Sequence, residues 1–243
     1  MANTRYSKPM PKSKATKKRT VVLSLGGSLI APKDIDIKFL RQFKQLITDF
    51  TDAGNRAILI TGGGDTARRY QGALRQLTKP AVADDLDWVG IAATRINAEL
   101  VRSLFGKRAY KDVLGDPEVH VATTKKILVG AGWEPGFSSD VDAVLLAATY
   151  RADTVINLTN VDYVYDKDPR KHKDAQKIER ITWADFQKIV GTKWVPGANH
   201  PFDPIATKRA RQLNLNLVIA RGSNIPNLRK ILRDEEFRGT VVG

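Results

Sequence analysis

The 243-residue chain has no cysteine, so disulfide scaffolds, thiolate metal centres and cysteine nucleophiles are all excluded. Its three histidines, His120, His172 and His200, are too scattered in sequence to suggest a metal cage, and any metal is expected to be a hard cation held by oxygens. No apolar run approaches the roughly 20 residues that cross a bilayer, and no apolar stretch follows the first charges as in a secretory leader. The chain therefore reads as soluble and cytoplasmic. Two phosphate-binding signatures are also missing: neither the dinucleotide fingerprint G-x-G-x-x-G nor the phosphate loop G-x-x-x-x-G-K-[ST] occurs. What remains is an ordinary globular balance, 42% hydrophobic and 27% charged, enough for one large α/β domain or two small ones.

Acidic residues are scarce beside basic ones, and the formal net charge is +14. Half of that excess lies in residues 1–19, "MANTRYSKPMPKSKATKKR", which hold seven Lys/Arg and no acid. The segment has no apolar period, contains Pro9 and Pro11, and has the composition of a disordered arm. Only Tyr6 could stack on a base, so a solubilising extension is favoured over a nucleic-acid handle.

Beyond the arm, apolar runs closed by glycine alternate with segments of helical period. "TVVLSLGG" predicts a buried strand, and "IDIKFLRQFKQLITDF" predicts a helix with Phe39, Leu40, Phe43, Leu46, Ile47 and Phe50 on one stripe. The alternation continues through "RAILIT", "TARRYQGALRQL", "KKILVGAG", "DVDAVLLAATYRA", "DTVINLTN", "NLNLVIARG" and "IPNLRKILRD", and "GTVVG" closes the chain as a short strand. Right-handed crossovers then give a three-layer αβα sandwich around a mostly parallel central sheet. Ligands of such a sheet bind beyond the carboxyl ends of the strands, so the loops there carry the chemistry.

Several of those loops are unusual. Gly26, Gly27 and Ser28 offer backbone N–H groups and a hydroxyl directly after a strand. "TGGGDTARRY" places three glycines before a helix that Asp65 or Thr66 would cap, with Arg68 and Arg69 close behind. The helix dipole puts about half a positive charge at that end and disfavours a cation there by about 0.3–1 kcal/mol, so the arginines imply an anion beside them. "GWEPGFSSDVDA" combines a Pro135–Gly136 turn with Ser138, Ser139 and Asp140, any of which could cap the next helix. "LTNVDYVYDKDP" supplies an Asx-rich loop with two tyrosine faces, and Asp203–Pro204 reads as a helix N-cap followed by N1 proline.

In this order the segments "LGGS", "TGGGDTARRY", "LDWVGIAATRINAEL", "PGFSSDVDA", "LTNVDYVYDKDP" and "FDPIATK" resemble the amino acid kinase superfamily, and within it the uridylate (UMP) kinases of archaeal type and their bacterial relatives. The resemblance runs from about Val21 to Gly243. It implies one amino acid kinase domain over 20–243, with an acceptor lobe to about residue 150 and an ATP lobe beyond. It further implies transfer of the ATP γ-phosphoryl to UMP with Mg²⁺, no membrane, and a homohexamer built from dimers. By motif, Gly26, Gly27, Ser28, Gly64, Thr159, Asn160, Tyr165 and Asp168 would bind ATP. Gly63, Arg68, Asp87, Arg95, Asn97, Trp133, Glu134, Pro135, Gly136, Phe137, Ser138 and Ser139 would form the UMP site. Arg68, Asp140 and Asp203 would lie at the reacting groups, and no side chain is assigned to the metal directly.

Two positions depart from the family pattern. Ser24 stands where many members carry a lysine two residues before "GGS", which leaves Arg68 or Arg69 to supply the positive charge. Tyr163 stands where relatives carry glycine; were that backbone left-handed, it would cost about 1–2 kcal/mol. Rival readings are the same fold with another acceptor (a different nucleoside monophosphate, acetylglutamate or isopentenyl phosphate) and a non-catalytic nucleotide sensor or nucleic-acid-binding regulator.

Overall fold

A computed structural model describes residues 18–169, 171–193 and 200–243. Most of the basic arm and residues 194–199 of the loop Gly191–Asp203 lie outside the described residues. Arg19, at the end of the arm, is docked on the body: its backbone N–H donates to Asn55 and its guanidinium pairs with Asp234 at 2.7 Å.

The first half of the chain runs β1 (Thr20–Leu25), α1 (Gly27–Ile30), α2 (Ile37–Asp52), β2 (Arg56–Thr61), α3 (Gly64–Leu77), α4 (Ala83–Phe105) and β3 (Ile127–Gly130). The second half runs α5 (Ser139–Thr149), β4 (Thr154–Thr159), β5 (Val164–Tyr165), β6 (Lys177–Ile178), β7 (Arg180–Ile181), α6 (Trp183–Val190), α7 (Pro204–Gln212), β8 (Asn216–Arg221), α8 (Ile225–Leu232) and β9 (Thr240–Val242). Seven strands form one sheet in the order β3-β2-β1-β4-β8-β9-β7, and β5 pairs with β6 in a separate antiparallel hairpin. Pairings in the large sheet are parallel except β8 with β9, where the closing strand runs back along its neighbour.

The pleat assigns alternate strand residues to two cores. Val21, Leu23 and Leu25 face the layer of α2, α4 and α8, joined there by Leu59, Val129, Ile156 and Ala220. Val22, Ile58, Ile60, Leu128 and Val155 face the layer of α5, α6 and α7. Burial on both faces is why the strands read as continuous apolar runs. The stripe expected on α2 is buried in full, and Asp36 caps that helix by accepting the Phe39 N–H at 2.9 Å.

Chain order reverses between β1 and β4: β2 and β3 extend the sheet to one side, and β4 and β8 to the other. The crevice outside the carboxyl ends of β1 and β4 is thus the topological switch point of the fold. Two glycine turns fill it. A Cβ on Gly27 would lie 2.1 Å from the backbone N of Gly64 and 2.5 Å from the carbonyl oxygen of Gly62. Gly64 itself has φ +63°, in the left-handed region that favours glycine. Gly27→Ala is therefore expected to destabilise the protein by about 2–3 kcal/mol, because backbone has to move. Gly72→Ala, in α3 with open space around the position, should stabilise by about 0.5–1 kcal/mol through helix propensity. Urea unfolding midpoints of the two variants measure the contrast.

Candidate active site

The turn Gly62–Gly64 is held from behind by α4. Asn97, buried on that helix, donates its side-chain amide to the Gly62 carbonyl at 2.8 Å, with a longer contact of 3.4 Å to Gly63. The Thr61 hydroxyl ties the end of β2 to the Thr94 carbonyl at 2.9 Å. Asn97 thus braces the turn from below. Helix α3 begins at Gly64 with Gly63 as N-cap and has no side-chain cap. Asp65, expected to cap, instead lies inside the first turn and pairs with Arg68 at 3.5 Å. The Arg68 side chain is 62% exposed in the first turn of α3, and Ser28 is exposed on α1, which packs against α3.

Asp140, in the first turn of α5, joins three elements. Its Oδ1 accepts from the Ser24 hydroxyl of β1 at 3.3 Å, and its Oδ2 accepts from the Asp203 backbone N–H at 3.1 Å. Asp203 in turn caps α7, one carboxylate oxygen accepting from the N–H groups of Ile205 and Ala206. Where many family members place a lysine, this chain therefore has a hydroxyl that donates to the central carboxylate. Desolvation, reinforced by the charge of Asp203, pushes the Asp140 carboxyl up to about 7, and the two hydrogen bonds only partly offset this.

The loop after β3 is fastened at intervals. The Gly132 N–H donates to the Thr94 hydroxyl at 2.8 Å, the Gly136 N–H donates to Asp87 at 2.9 Å, and Ser138 caps α5. Of the three residues that could cap this helix, Ser138 does so. Pro135 and Gly136 form the turn, closed by the Phe137 N–H on the Glu134 carbonyl, with Gly136 at φ +85°. Trp133 and Phe137 pack ring to ring at 5.0 Å. Asp87 and the stretch 133–139 are thus brought together, whereas Arg95 lies on the exposed side of α4, lining a hollow of about 270 Å³ with Glu99, Val113 and Gly115.

On the other side of the crevice, the Thr159 hydroxyl closes its own turn on Val161, Asn160 is exposed, and Asp162 pairs with Arg221 at 3.0 Å. Tyr165 lies in the β5–β6 hairpin, and the Asp168 carbonyl accepts from Lys171 and His172 as the loop turns. Tyr163 is not left-handed, so the glycine-to-tyrosine departure carries no backbone strain. Its ring is occupied by the Lys177 ammonium, 5.0 Å from the centroid, which also pairs with Glu179 at 2.7 Å.

The sequence model of the amino acid kinase family matches residues 19–221. The chain belongs to the amino acid kinase family. It is 34% identical over 226 residues to the uridylate kinase of Methanobrevibacter smithii, covering 91% of this chain and 98% of that one. It is 36% identical over 227 residues to the uridylate kinase of Methanospirillum hungatei, covering 92% and 94%. Among solved structures, uridylate kinase from Archaeoglobus fulgidus superposes with a TM-score of 0.80 at 33% identity, over 92% of this chain and 99% of that one. UMP kinase from Bacillus anthracis shares the fold, with a TM-score of 0.75 at 20% identity over 93% and 96% of the two chains.

Within this amino acid kinase fold, sequence reasoning missed two groups. Asn157 on β4 is buried and donates to the Pro201 carbonyl at 3.0 Å, fixing the approach to Asp203. Asp142 is 0% exposed, and neither of its carboxylate oxygens has a hydrogen-bond partner among the described residues. A carboxylate inside the apolar run "VDAVLLAA" was the available signal for it. Burial pushes Asp142 up to about 7, with the nearby charges of Asp140 and Glu134 adding to the shift.

A native state that holds protons on Asp140 and Asp142 up to about pH 7 binds more protons than the unfolded chain, whose aspartates titrate near 3.8. Stability is therefore expected to fall as pH rises from about 4 to 7 and to level off above, by at most about 4 kcal/mol for a fully buried group. The downward-shifted Asp49 and Asp185 act below this window. Thermal melts from pH 5 to 8 check the sign: a melting temperature that rose across the range would contradict the upward shifts.

Proposed function

We propose that this chain is a UMP kinase, transferring the γ-phosphoryl of ATP to UMP to give UDP and ADP in cytoplasmic pyrimidine nucleotide synthesis. The observation that carries the reading is the interlocked pair of glycine turns at the switch point, flanked by Arg68 and by the loop 132–138. The uridylate kinase names of relatives at 33–36% identity favour UMP over acetylglutamate or isopentenyl phosphate as acceptor.

In this reading the two nucleotides enter the crevice from opposite sides, UMP over α4 and the loop 132–138, and ATP over the loops after β4 and β8. Their phosphates meet above the glycine turns, where the N–H groups at the start of α3 and the Arg68 guanidinium face them. Phosphoryl transfer spreads charge over the equatorial oxygens, so positioning and positive charge matter more than a base. A UMP phosphate oxygen, already ionised near neutral pH, attacks the γ-phosphorus as the bond to the ADP oxygen breaks. Asp140 and Asp203 act by holding β1, α5 and α7 in register around the transfer point. The described residues do not fit a protein-built magnesium cage, since no group of three carboxylates or imidazoles converges. Mg²⁺ is assigned to the ATP phosphates, and no protein step depends on it here.

Assembly into a homohexamer belongs to the same proposal. Trp88 and Ile96 stand exposed on α4 with Ala92 between them at helical spacing, and Tyr70 and Leu77 are exposed on the adjoining α3. Sedimentation of the purified chain tests this.

The functional reading is tested by ADP release with Mg-ATP against UMP, CMP, dUMP, AMP, GMP, acetylglutamate and isopentenyl phosphate. UMP is expected to be preferred, and turnover confined to another acceptor would overturn the substrate. Arg68→Ala is expected to lower kcat/KM by about a hundredfold. Its melting temperature should hold, because among the described residues Arg68 makes only a 3.5 Å contact with Asp65. Near-normal turnover of this variant would remove Arg68 from the mechanism.

A further inference from the structure

Asp142 has no part in the mechanism above, yet it is the least comfortable side chain in the described fold. It lies on α5 two residues beyond Asp140 and is wholly buried, with both oxygens unpartnered among the described residues. Buried carboxyl groups are ordinarily paired, because an unpaired neutral acid loses its water and an unpaired ion loses far more. The backbone N–H of Trp133 is the neighbouring group that favours the ion, and the Trp133 ring packs on the same core as α5.

Gly132 is tied to Thr94, Gly136 to Asp87 and Ser138 to the start of α5, while the stretch between is held by the Phe137 N–H on the Glu134 carbonyl and by Trp133 and Phe137, packed ring to ring on the core that α5 shares. We infer that Asp142 is a positioning residue for the acceptor: its buried, unpartnered carboxyl sets where Trp133 and the loop to Ser138 lie, and so tunes affinity for UMP without touching it. This rests on the reading of that loop as the UMP site.

The charged surroundings fix the direction of the effect. Asp140 and Glu134, the charged groups that act on Asp142, are both acids. Of the elements packed on α5, β1 and β4 carry no titratable side chain, and β2 carries only Arg56, which is engaged with the Thr123 carbonyl at the far end of the strand. Helix α7 contributes Asp203 beside Asp140, while its Lys208, Arg209 and Arg211 are absent from the influences on Asp142. Protonated, the carboxyl is neutral and the loop stays closed over it. Ionised, it draws in the Trp133 N–H or water, and it sets a negative charge beneath a loop that receives a phosphate dianion.

The test is the pH dependence, from 6.5 to 8.5, of kcat and of KM for UMP and for ATP, in the full chain and in Asp142→Asn, with Asp142→Ala as the second variant. Above pH 6.5 the UMP phosphate is already largely dianionic, its second pKa being about 6, so its own titration does not mimic the effect. KM for UMP is expected to climb about tenfold over this range in the unaltered chain while KM for ATP stays within about twofold, and both should be flat in the variants. In ligand-free protein, Trp133 fluorescence, isolated by difference against Trp133→Phe, should shift over the same window and lose that shift in Asp142→Asn. An unaltered pH profile of KM for UMP in the variants, or pH-independent Trp133 emission in the unaltered chain, would overturn the proposal. If instead KM for ATP responds, the loop is not the acceptor site; that reading fails, and the fluorescence alone decides whether Asp142 positions the loop.

Discussion

The structure depends on a contact between two stretches of bare backbone. Gly27 after β1 and Gly62–Gly64 after β2 approach so closely that a single methyl group on either would meet peptide atoms at 2.1–2.8 Å. That approach brings the ends of neighbouring strands into one concave surface of N–H groups, and Asn97 supplies the amide that keeps the second turn from relaxing. Strands, helices and cores around it serve to deliver these two turns at the place where the sheet's order reverses.

A second constraint is electrostatic. With Ser24 on β1, the Asp140 carboxyl accepts from a hydroxyl and a backbone N–H, and one carboxylate oxygen of Asp203 caps the N-terminus of α7. In the proposed reading the transfer point is built from dipoles on the protein side, with the exposed Arg68 as its positive charge. Asp140 and Asp203 form a buried, hydrogen-bonded pair that joins β1, α5 and α7. Asp142 lies two residues beyond Asp140 on α5, buried and with both oxygens unpartnered among the described residues.

Most of the architecture was legible because its signals are local. Apolar runs closed by glycine gave β1 and β2, the apolar run of "DTVINLTN" gave β4, and the stripe from Phe39 to Phe50 gave α2 with its buried face. Asp203 could be recognised as a cap from its own neighbourhood, whereas the choice of Ser138 over Ser139 and Asp140 was made by the structure. Asp65 was misread as a cap because sequence cannot say that the chain enters α3 through a left-handed Gly64, one residue earlier than a side-chain cap requires. Tyr163 posed a strain problem only on paper; the backbone there takes an ordinary conformation, and the ring supports Lys177 from a strand 14 residues on.

By itself the sequence determined the alternation of strands and helices, the glycine turns and the family, since each is written in residues close along the chain. Only the tertiary structure decided which of those groups meet. Ser24 and Asp140 are 116 residues apart, Asp140 and Asp203 are 63, and Asp87 and Gly136 are 49. Nor does periodicity mark the carboxyl of Asp142 as dry and unpartnered. Desolvation is a property of everything packed around an atom, and the chain acquires it only when α5 closes on β1, β2, β4 and α7.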